Sequence, residues 1–289
     1  MYQESERIKA FRLEVARTIP RFPNNESTLQ ELEAISLHNL LIHYSNWAYR
    51  LVTPRKRYIV IEPEALSDPR WGKNKNAIDC FLDKVRNGED LWPHLSYKIV
   101  NRGYAPKSFN NGQVINRWAD KDFLLNTMGW HHFHLGANLQ ANGFVERTDE
   151  IIFAKISREQ FVIKAISNHT VFERPNTPNE PMTKERNRLW TLYEKQSSWG
   201  LEPGTVYIPS MISTSGHPLW VVRMADYYAD MAIKMDSQID DMEYINQIFS
   251  SHGLPSPTNP KFKWHLRCLD LGIIDESTNN YFIFNYGPN

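Results

Sequence analysis

The stretch EIIFAKISREQFVIKAIS, residues 150–167, decides the fold of this chain. It contains two runs of β-branched, aliphatic and aromatic residues, 150–156 and 161–167, and the polar segment between them predicts a β-hairpin. Both faces of each run are largely apolar, so we expect the hairpin to lie in the middle of a sheet that is covered on both sides. If Ser157 pairs with Gln160 across the turn, every pair of opposite residues has numbers that sum to 317. Residues that lie opposite one another share a face of the sheet.

Outside the hairpin, apolar residues at helical spacing dominate both ends of the chain. They predict helices over 3–17 and 28–49 in the N-terminal part, and a helix over 183–198 in the C-terminal part. The proline-rich segment 174–181, RPNTPNEP, predicts a linker between the sheet and the second helical part.

The C-terminal residues predict a small element of their own. A short helix over 261–270 precedes a hairpin of 271–275 and 280–285, and this order of elements is similar to that of a winged helix. The sequence therefore predicts an α+β protein with a helical N-terminal part, a central antiparallel sheet and a helical C-terminal part that ends in this element. The three regions are 1–119, 120–173 and 183–289.

The composition excludes several classes of protein. Of the 289 residues, 41% are hydrophobic and 23% are charged, as is ordinary for a globular protein. The 33 basic and 33 acidic residues give no net charge, which argues against binding of nucleic acid by bulk charge but allows a local basic groove. Two cysteines are too few for a disulfide framework. Neither a signal sequence nor an apolar run of transmembrane length is present, so we expect a cytoplasmic protein without membrane contact.

The chain also lacks the common motifs of cofactor and metal sites. GxxxxGKS/T, GxGxxG, HExxH, GxSxG and paired CxxC do not occur. P-loop NTPases, Rossmann dehydrogenases, zincins, α/β-hydrolases and zinc fingers are therefore without support from the sequence. Any chemistry must come from residues outside these patterns.

The most unusual segment is 130–136, WHHFHLG, in which three of the ten histidines lie close together. The segment predicts a strand, and alternation along a strand places His132 and His134 on one face with Trp130, and His131 on the other. Two imidazoles on one face of a strand are costly to bury without partners. Such a pair is typical of catalysis, metal binding or a dedicated hydrogen-bond network.

Cations and a further histidine are expected near this strand. Lys155 and Lys164 share a face of the hairpin, and Arg147 joins them if its strand begins early enough. His169 follows the hairpin in the polar segment 167–170, and segments at strand ends commonly carry functional side chains.

Imidazoles beside cations are the minimum for cleaving RNA without a metal ion. A histidine serves as the base for the 2′-OH or as the acid for the leaving oxygen, and cations stabilise the phosphorane. Here His132 or His134 is the base and His169 is the acid. Arg147 and Lys164 hold the phosphate. The predicted catalytic residues are His131, His132, His134, Arg147, Thr148 and His169, and the predicted substrate-binding residues are Trp130, Lys155 and Lys164.

Two other interpretations stay open. His132, His134 and His169 are also candidate ligands of a zinc ion whose open fourth position activates water for hydrolysis. Alternatively, the sheet face is a non-catalytic module that binds a protein or a nucleic acid. His43, on the second predicted helix, and His217, in a turn, are interpreted as structural residues.

The order of these motifs resembles that of known proteins. A helical N-terminal part, HHFHLG at 131–136, GFVERT at 143–148 and a hairpin resemble uncharacterised bacterial proteins of the toxin or phage-defence type. The His/Arg/Thr set within 129–170 is similar to the barnase–colicin–RelE class of ribonuclease toxins. This resemblance implies an endoribonuclease with RNA as its substrate and a protein inhibitor or antitoxin as its partner. The acidic general base of that class has no counterpart here beyond Glu146 or Glu150.

Overall fold

The computed structural model describes residues 4–106, 118–173, 177, 180–208 and 211–289, so most of the predicted linker lies outside the described residues. The helices are α1 (Glu6–Thr18), α2 (Glu26–Glu33), α3 (Leu37–Ala48), α4 (Pro63–Leu66), α5 (Pro69–Lys73), α6 (Lys75–Asn87), α7 (Phe123–Met128), α8 (Lys184–Ser197), α9 (Leu219–Met235) and α10 (Met242–Ser251). The strands are β1 (Tyr58–Ile61), β2 (Trp130–His134), β3 (Glu150–Ile156), β4 (Gln160–Asn168), β5 (Phe262–Arg267), β6 (Asp270–Asp275) and β7 (Asn280–Asn285). The α+β class with helical parts at both ends is confirmed. No helix among the described residues combines the length and apolar character needed to cross a membrane.

The chain forms two compact units, each built from segments that are distant in the sequence. The first unit combines the described residues of Met1–Tyr49, Val100–Lys121 and His217–Pro288. The second combines those of Arg50–Ile99 and Asp122–Gly216 with Asn289. The four-stranded sheet belongs to the second unit and a three-stranded sheet to the first.

The four-stranded sheet of the second unit has the strand order β1-β4-β3-β2. The strands β2, β3 and β4 are antiparallel, as the sequence predicts, but β1 is parallel to β4, with Tyr58 opposite Gln160. The sheet is therefore mixed, which corrects the prediction of an antiparallel sheet. The apolar run of β1 predicts a strand, but its partner lies far along the chain, where a local pattern carries no information on pairing.

The hairpin of β3 and β4 follows the predicted register only near its turn. Lys155 lies opposite Val162, as the sum of 317 requires. A bulge after Phe153 then shifts the register, so that Phe153 lies opposite Ala165. Lys164 is the extra residue at the bulge, and bulges locally disturb the alternation of faces.

Both faces of this sheet are covered, as the apolar runs predict. On one face, Trp130 and Phe153 lie in a buried cluster with Tyr193 of α8. On the other face, the ring of Phe133 lies 5.2 Å from that of Phe81 on α6. Full burial of side chains of this size contributes about 1.5–3 kcal/mol each. The sheet is thus a rigid support for the polar residues at its edge and its strand ends.

The first unit ends in the antiparallel sheet β5-β6-β7. The predicted hairpin is present as β6 and β7, but residues 262–267 form a strand and not the predicted helix. The winged-helix-like arrangement is therefore wrong. Phe262, Trp264 and Leu266 alternate with polar residues, and this period of two favours a strand.

Candidate functional site

Strand β2 forms the edge of the four-stranded sheet and carries histidines on both of its faces. His132 lies opposite Phe153, and His134 shares its face. His131 belongs to the other face, where its ring stacks on that of Phe133 with the centroids 6.4 Å apart. The predicted alternation is confirmed, and His131 does not lie with the other two histidines.

A third histidine reaches this face from the end of β4. Asn168 Oδ1 accepts hydrogen bonds from the backbone N–H and the hydroxyl of Thr170, at 3.1 and 2.6 Å, which closes a tight turn. A turn of 3-10 helix follows over His169–Phe172. It places the His169 ring against that of His134, with the centroids 5.2 Å apart and the planes at 19°. We call His132, His134 and His169 the histidine cluster.

Aromatic side chains enclose the histidine cluster. The ring of Phe172 lies 4.8 Å from that of His132 and 6.2 Å from that of His169. His134 is only 4% exposed, whereas His132 and His169 are half-buried. Nδ1 of His134 and Nε2 of His169 are buried and make no hydrogen bond within the part of the chain that the structure describes. The cluster therefore keeps two ring nitrogens for a ligand.

Burial dominates the protonation of His134. It lowers the pKa of His134 to about 3, together with the nearby charges of His132, His169 and Arg147. His94 donates from Nδ1 to the backbone oxygen of His134 at 2.8 Å, and burial also lowers the pKa of His94. Both imidazoles are therefore neutral at pH 7, and His94 holds the end of β2 in position.

Asp122 is an acidic neighbour of the cluster that sequence reasoning misses. Its Oδ2 lies 3.5 Å from Nδ1 of His132. Its Oδ1 caps α7 by accepting a hydrogen bond from the N–H of Leu125 at 3.0 Å, which fixes the orientation of the carboxylate. Burial lowers the pKa of His132, and the charge of Asp122 opposes that effect. The capping position before α7 is visible in the sequence, but nothing there places it beside His132.

Two exposed cations lie close enough to the histidine cluster to change its protonation. The charges of Lys98 and Arg147 lower the pKa of His132, and that of Arg147 also lowers the pKa of His134. Neither cation has a carboxylate partner among the described residues. The sequence analysis predicts Arg147 as a site residue but not Lys98, because Lys98 lies in a segment without a recognisable motif. Within the described part of the chain, both side chains can therefore bind an anion.

The three predicted substrate-binding residues have differing surroundings on the sheet. Lys164 Nζ lies 2.6 Å from Glu62 Oε1, and its side chain is 13% exposed. Lys155 is exposed and lies opposite Trp130, two residues along β3 from the partner of His132 and four from the partner of His134. Trp130 is 3% exposed within the core. Lys164 is thus paired with Glu62, and Trp130 shares the face of His132 but is buried in the core.

Thr148, a predicted catalytic residue, joins the ends of two strands. Its Oγ1 accepts a hydrogen bond from the N–H of Leu135 at 3.1 Å and donates to the backbone oxygen of Glu150 at 2.7 Å. The hydroxyl therefore satisfies one backbone group just beyond β2 and another at the start of β3. This role positions the strand ends that carry His134 and Arg147.

The two acids that the sequence offers as general bases have other partners. Glu146 accepts a hydrogen bond from Asn138 Nδ2 at 3.1 Å. Glu150 lies 3.4 Å from Lys73 Nζ. Asp122 is the carboxylate that the structure places beside a histidine of the cluster.

The zinc interpretation requires one nitrogen from each histidine of the cluster to meet at a single ion. A tetrahedral Zn²⁺ at about 2.1 Å from its ligands holds them about 3.4 Å apart. Among the described residues, His132, His134 and His169 do not form a set of ligand atoms within 4.8 Å of one another. The cluster does not have the geometry of a three-ligand zinc site.

Comparisons of the chain with protein-family models, with curated proteins and with solved structures find no match. What the site can do follows from its own groups. These are a histidine beside a carboxylate, two ring nitrogens without hydrogen bonds, and two cations without carboxylate partners among the described residues. Such a combination can accept one proton, donate another and hold an anion.

Proposed function

We propose that the histidine cluster is the active site of a metal-independent endoribonuclease of the toxin or phage-defence type. The observation that carries this proposal is the meeting of three imidazoles on one sheet face beside Arg147 and Lys98. Two buried ring nitrogens of the cluster make no hydrogen bond among the described residues, which costs free energy unless a ligand pairs with them.

In this proposal His132 is the base. Its lowered pKa keeps the ring neutral at pH 7, so the ring can accept a proton. Asp122 lies on the Nδ1 side, which leaves Nε2 to take the proton of the 2′-OH. The 2′-oxygen then forms a bond to phosphorus.

His169 is the acid, and it gives its proton to the 5′-oxygen as the bond between phosphorus and that oxygen breaks. The products are a 2′,3′-cyclic phosphate and a 5′-hydroxyl. His134, whose pKa of about 3 keeps it neutral, is a positioning residue that packs against the His169 ring. Arg147 and Lys98 stabilise the charge of the phosphorane.

The toxin or phage-defence role is supported by the order of HHFHLG at 131–136 and GFVERT at 143–148. A ribonuclease of this kind is held inactive by a protein partner until it is needed. Arg147 and Lys98 are exposed, and an acidic inhibitor that covers them blocks the phosphate site directly.

Cleavage of a fluorescent RNA oligonucleotide by the purified full chain tests the proposal. We expect cleavage that EDTA does not reduce and products that end in a 2′,3′-cyclic phosphate. The same oligonucleotide made of DNA stays intact, because it lacks the attacking hydroxyl. His132→Gln and His169→Gln lower the rate by about 10²–10⁴-fold. His38→Gln, at a 40% exposed side chain, is the matched histidine control and keeps the rate.

Other outcomes assign the site differently. RNA that binds without being cut indicates a binding module. Cleavage that requires an added metal ion indicates the zinc interpretation. Cleavage that survives both His132→Gln and His169→Gln places the active site outside the cluster.

A further inference from the structure

A second group of side chains with metal-ligating atoms lies in the first unit. His43 is on α3, Asp120 ends the turn at 118–120, and His217 directly precedes the capping residue of α9. One ligand atom from each of the three lies within 4.8 Å of the other two. Because α3 packs against α9, segments that are distant in the sequence converge at this point.

Contacts around the three side chains hold them in place. Asn46, one turn after His43 on α3, donates from Nδ2 to the backbone oxygen of Asp120 at 3.4 Å. The His43 ring packs edge-on against that of His217, with the centroids 5.2 Å apart, and against that of Tyr104 at 4.8 Å. Ligand atoms that packing holds in position favour metal binding, because little order has to be created when the ion enters.

Asp120 has the environment of a metal ligand. It is 1% exposed, and its Oδ2 accepts a hydrogen bond from Lys121 Nζ at 2.5 Å. Its Oδ1 is also buried and makes no hydrogen bond among the described residues. A buried carboxylate oxygen without a donor is costly, and a cation bound to Oδ1 removes that cost. The hydrogen bond to Oδ2 holds the carboxylate in place, while the ammonium charge of Lys121 opposes the binding of a cation to Oδ1.

We infer that His43, Asp120 and His217 bind one Zn²⁺ ion, through two imidazole nitrogens and Oδ1 of the carboxylate. A tetrahedral ion at about 2.1 Å from its ligands sets them about 3.4 Å apart, so small side-chain rotations complete the site. His43 is half-buried, and solvent supplies a water molecule for the fourth position. The sequence gives no signal for this site, because long stretches of chain separate the ligands and their spacing matches no metal motif.

Zinc binding by the full chain tests the inference. The purified protein is stripped with a chelator and dialysed against ZnCl₂. Bound metal is counted by mass spectrometry, and its affinity is measured by competition with a chromogenic chelator. We expect one Zn²⁺ per chain in the wild type, bound at least roughly 100-fold more weakly by His217→Gln and by Asp120→Asn. The control is the double variant His132→Gln/His134→Gln, which removes two imidazoles from the sheet and keeps the affinity unchanged.

Lys121→Met separates loss of a ligand from loss of folding. It removes the cation beside Asp120, so zinc binds roughly tenfold more tightly, an effect that misfolding does not produce. The inference is overturned if the wild type binds no zinc, if Asp120→Asn and His217→Gln both keep the wild-type affinity, or if the double variant on the sheet loses the ion. The measurement is metal content, so its result does not depend on whether the chain cleaves RNA.

Discussion

The lowered pKa of His134 makes the free energy of unfolding depend on pH. Burial and nearby charges lower its pKa to about 3, whereas an unfolded histidine titrates near pH 6.5. Between these values the unfolded chain binds a proton that the folded chain does not. The stability is therefore complete above about pH 6.5 and falls as the pH falls towards 3. We expect this residue alone to lose about 2 kcal/mol of the free energy of unfolding between pH 7 and pH 5.

The variant His134→Gln checks this expectation by urea denaturation across the same pH range. The glutamine does not titrate, so the free energy of unfolding of the variant depends less steeply on pH. His252→Gln, at an exposed position without a carboxylate partner among the described residues, keeps the wild-type slope. Equal slopes for the wild type and His134→Gln would show that the folded protein protonates His134 at an ordinary pH.

Asp122→Asn tests the assignment of the base. Asparagine caps helices as well as aspartate does, so α7 is kept while the negative charge beside His132 is removed. The charge of Asp122 raises the pKa of His132, whereas burial lowers it. We therefore expect the acidic limb of the pH profile of RNA cleavage to move to lower pH, with a rate about 10–100-fold lower. A slower variant with an unmoved limb would mean that Asp122 acts on folding and not through His132.

Residue patterns predict which side chains of one strand share a face, but not which other side chains join them. Alternation along 130–134 predicts that His132 and His134 lie together, and the structure confirms it. His94, Lys98 and Asp122 come from turns and from a helix cap. Their local patterns explain the turns and the cap, whereas tertiary packing decides that they lie beside the cluster.

At the scale of elements, periodicity predicts the hairpin to within one residue of its observed bounds. The predicted runs 150–156 and 161–167 correspond to β3 and β4. The bulge after Phe153 has no counterpart in the apolar pattern, because the run stays apolar on both sides of it. The wrong helix over 261–270 has a different cause, because the alternation there extends over only three apolar residues.

The connection between β2 and β3 depends on a glycine. A Cβ atom on Gly136 would lie 2.2 Å from the backbone oxygen of Glu146, the residue before Arg147. Gly136→Ala therefore pushes apart two segments that carry the site. We expect a loss of about 1–3 kcal/mol in the free energy of unfolding, measured by urea denaturation, and slower RNA cleavage because Arg147 is displaced.

Gly72→Ala is the matched control for this variant. Gly72 lies in α5, and nothing lies within 4 Å of the position of a Cβ atom. Alanine is the better helix former, so the control gains up to about 1 kcal/mol. If Gly136→Ala is as stable and as active as this control, the close approach to Glu146 does not constrain the site.

At the scale of the whole molecule, contacts over long sequence separations decide which segments share a core. Linear patterns predict consecutive regions such as 1–119 and 120–173. In the second unit, β1 from the first of these stretches pairs with β4 from the second in one sheet. Apolar periodicity marks both strands, but their pairing is a property of the folded chain.

The two proposed sites belong to different units, and this predicts two separate ligand responses in hydrogen exchange. Zinc at 100 times its dissociation constant stabilises the state that binds it by about 2.7 kcal/mol. We expect Zn²⁺ to slow amide exchange in α3 and α9. A 2′-O-methyl RNA, which binds but lacks the attacking hydroxyl, slows exchange in β2 and in the turn His169–Phe172.

His217→Gln and His132→Gln separate the two responses. His217→Gln removes the effect of Zn²⁺ on α3 and α9 and keeps the effect of RNA on β2, because only the metal ligand is lost. His132→Gln keeps the effect of Zn²⁺ on α3 and α9. It also keeps the protection of β2 by RNA, because Arg147 and Lys98 still hold the phosphate. Only cleavage is lost. Protection of β2 by Zn²⁺ in the wild type would locate the metal at the histidine cluster, and both assignments would then be wrong.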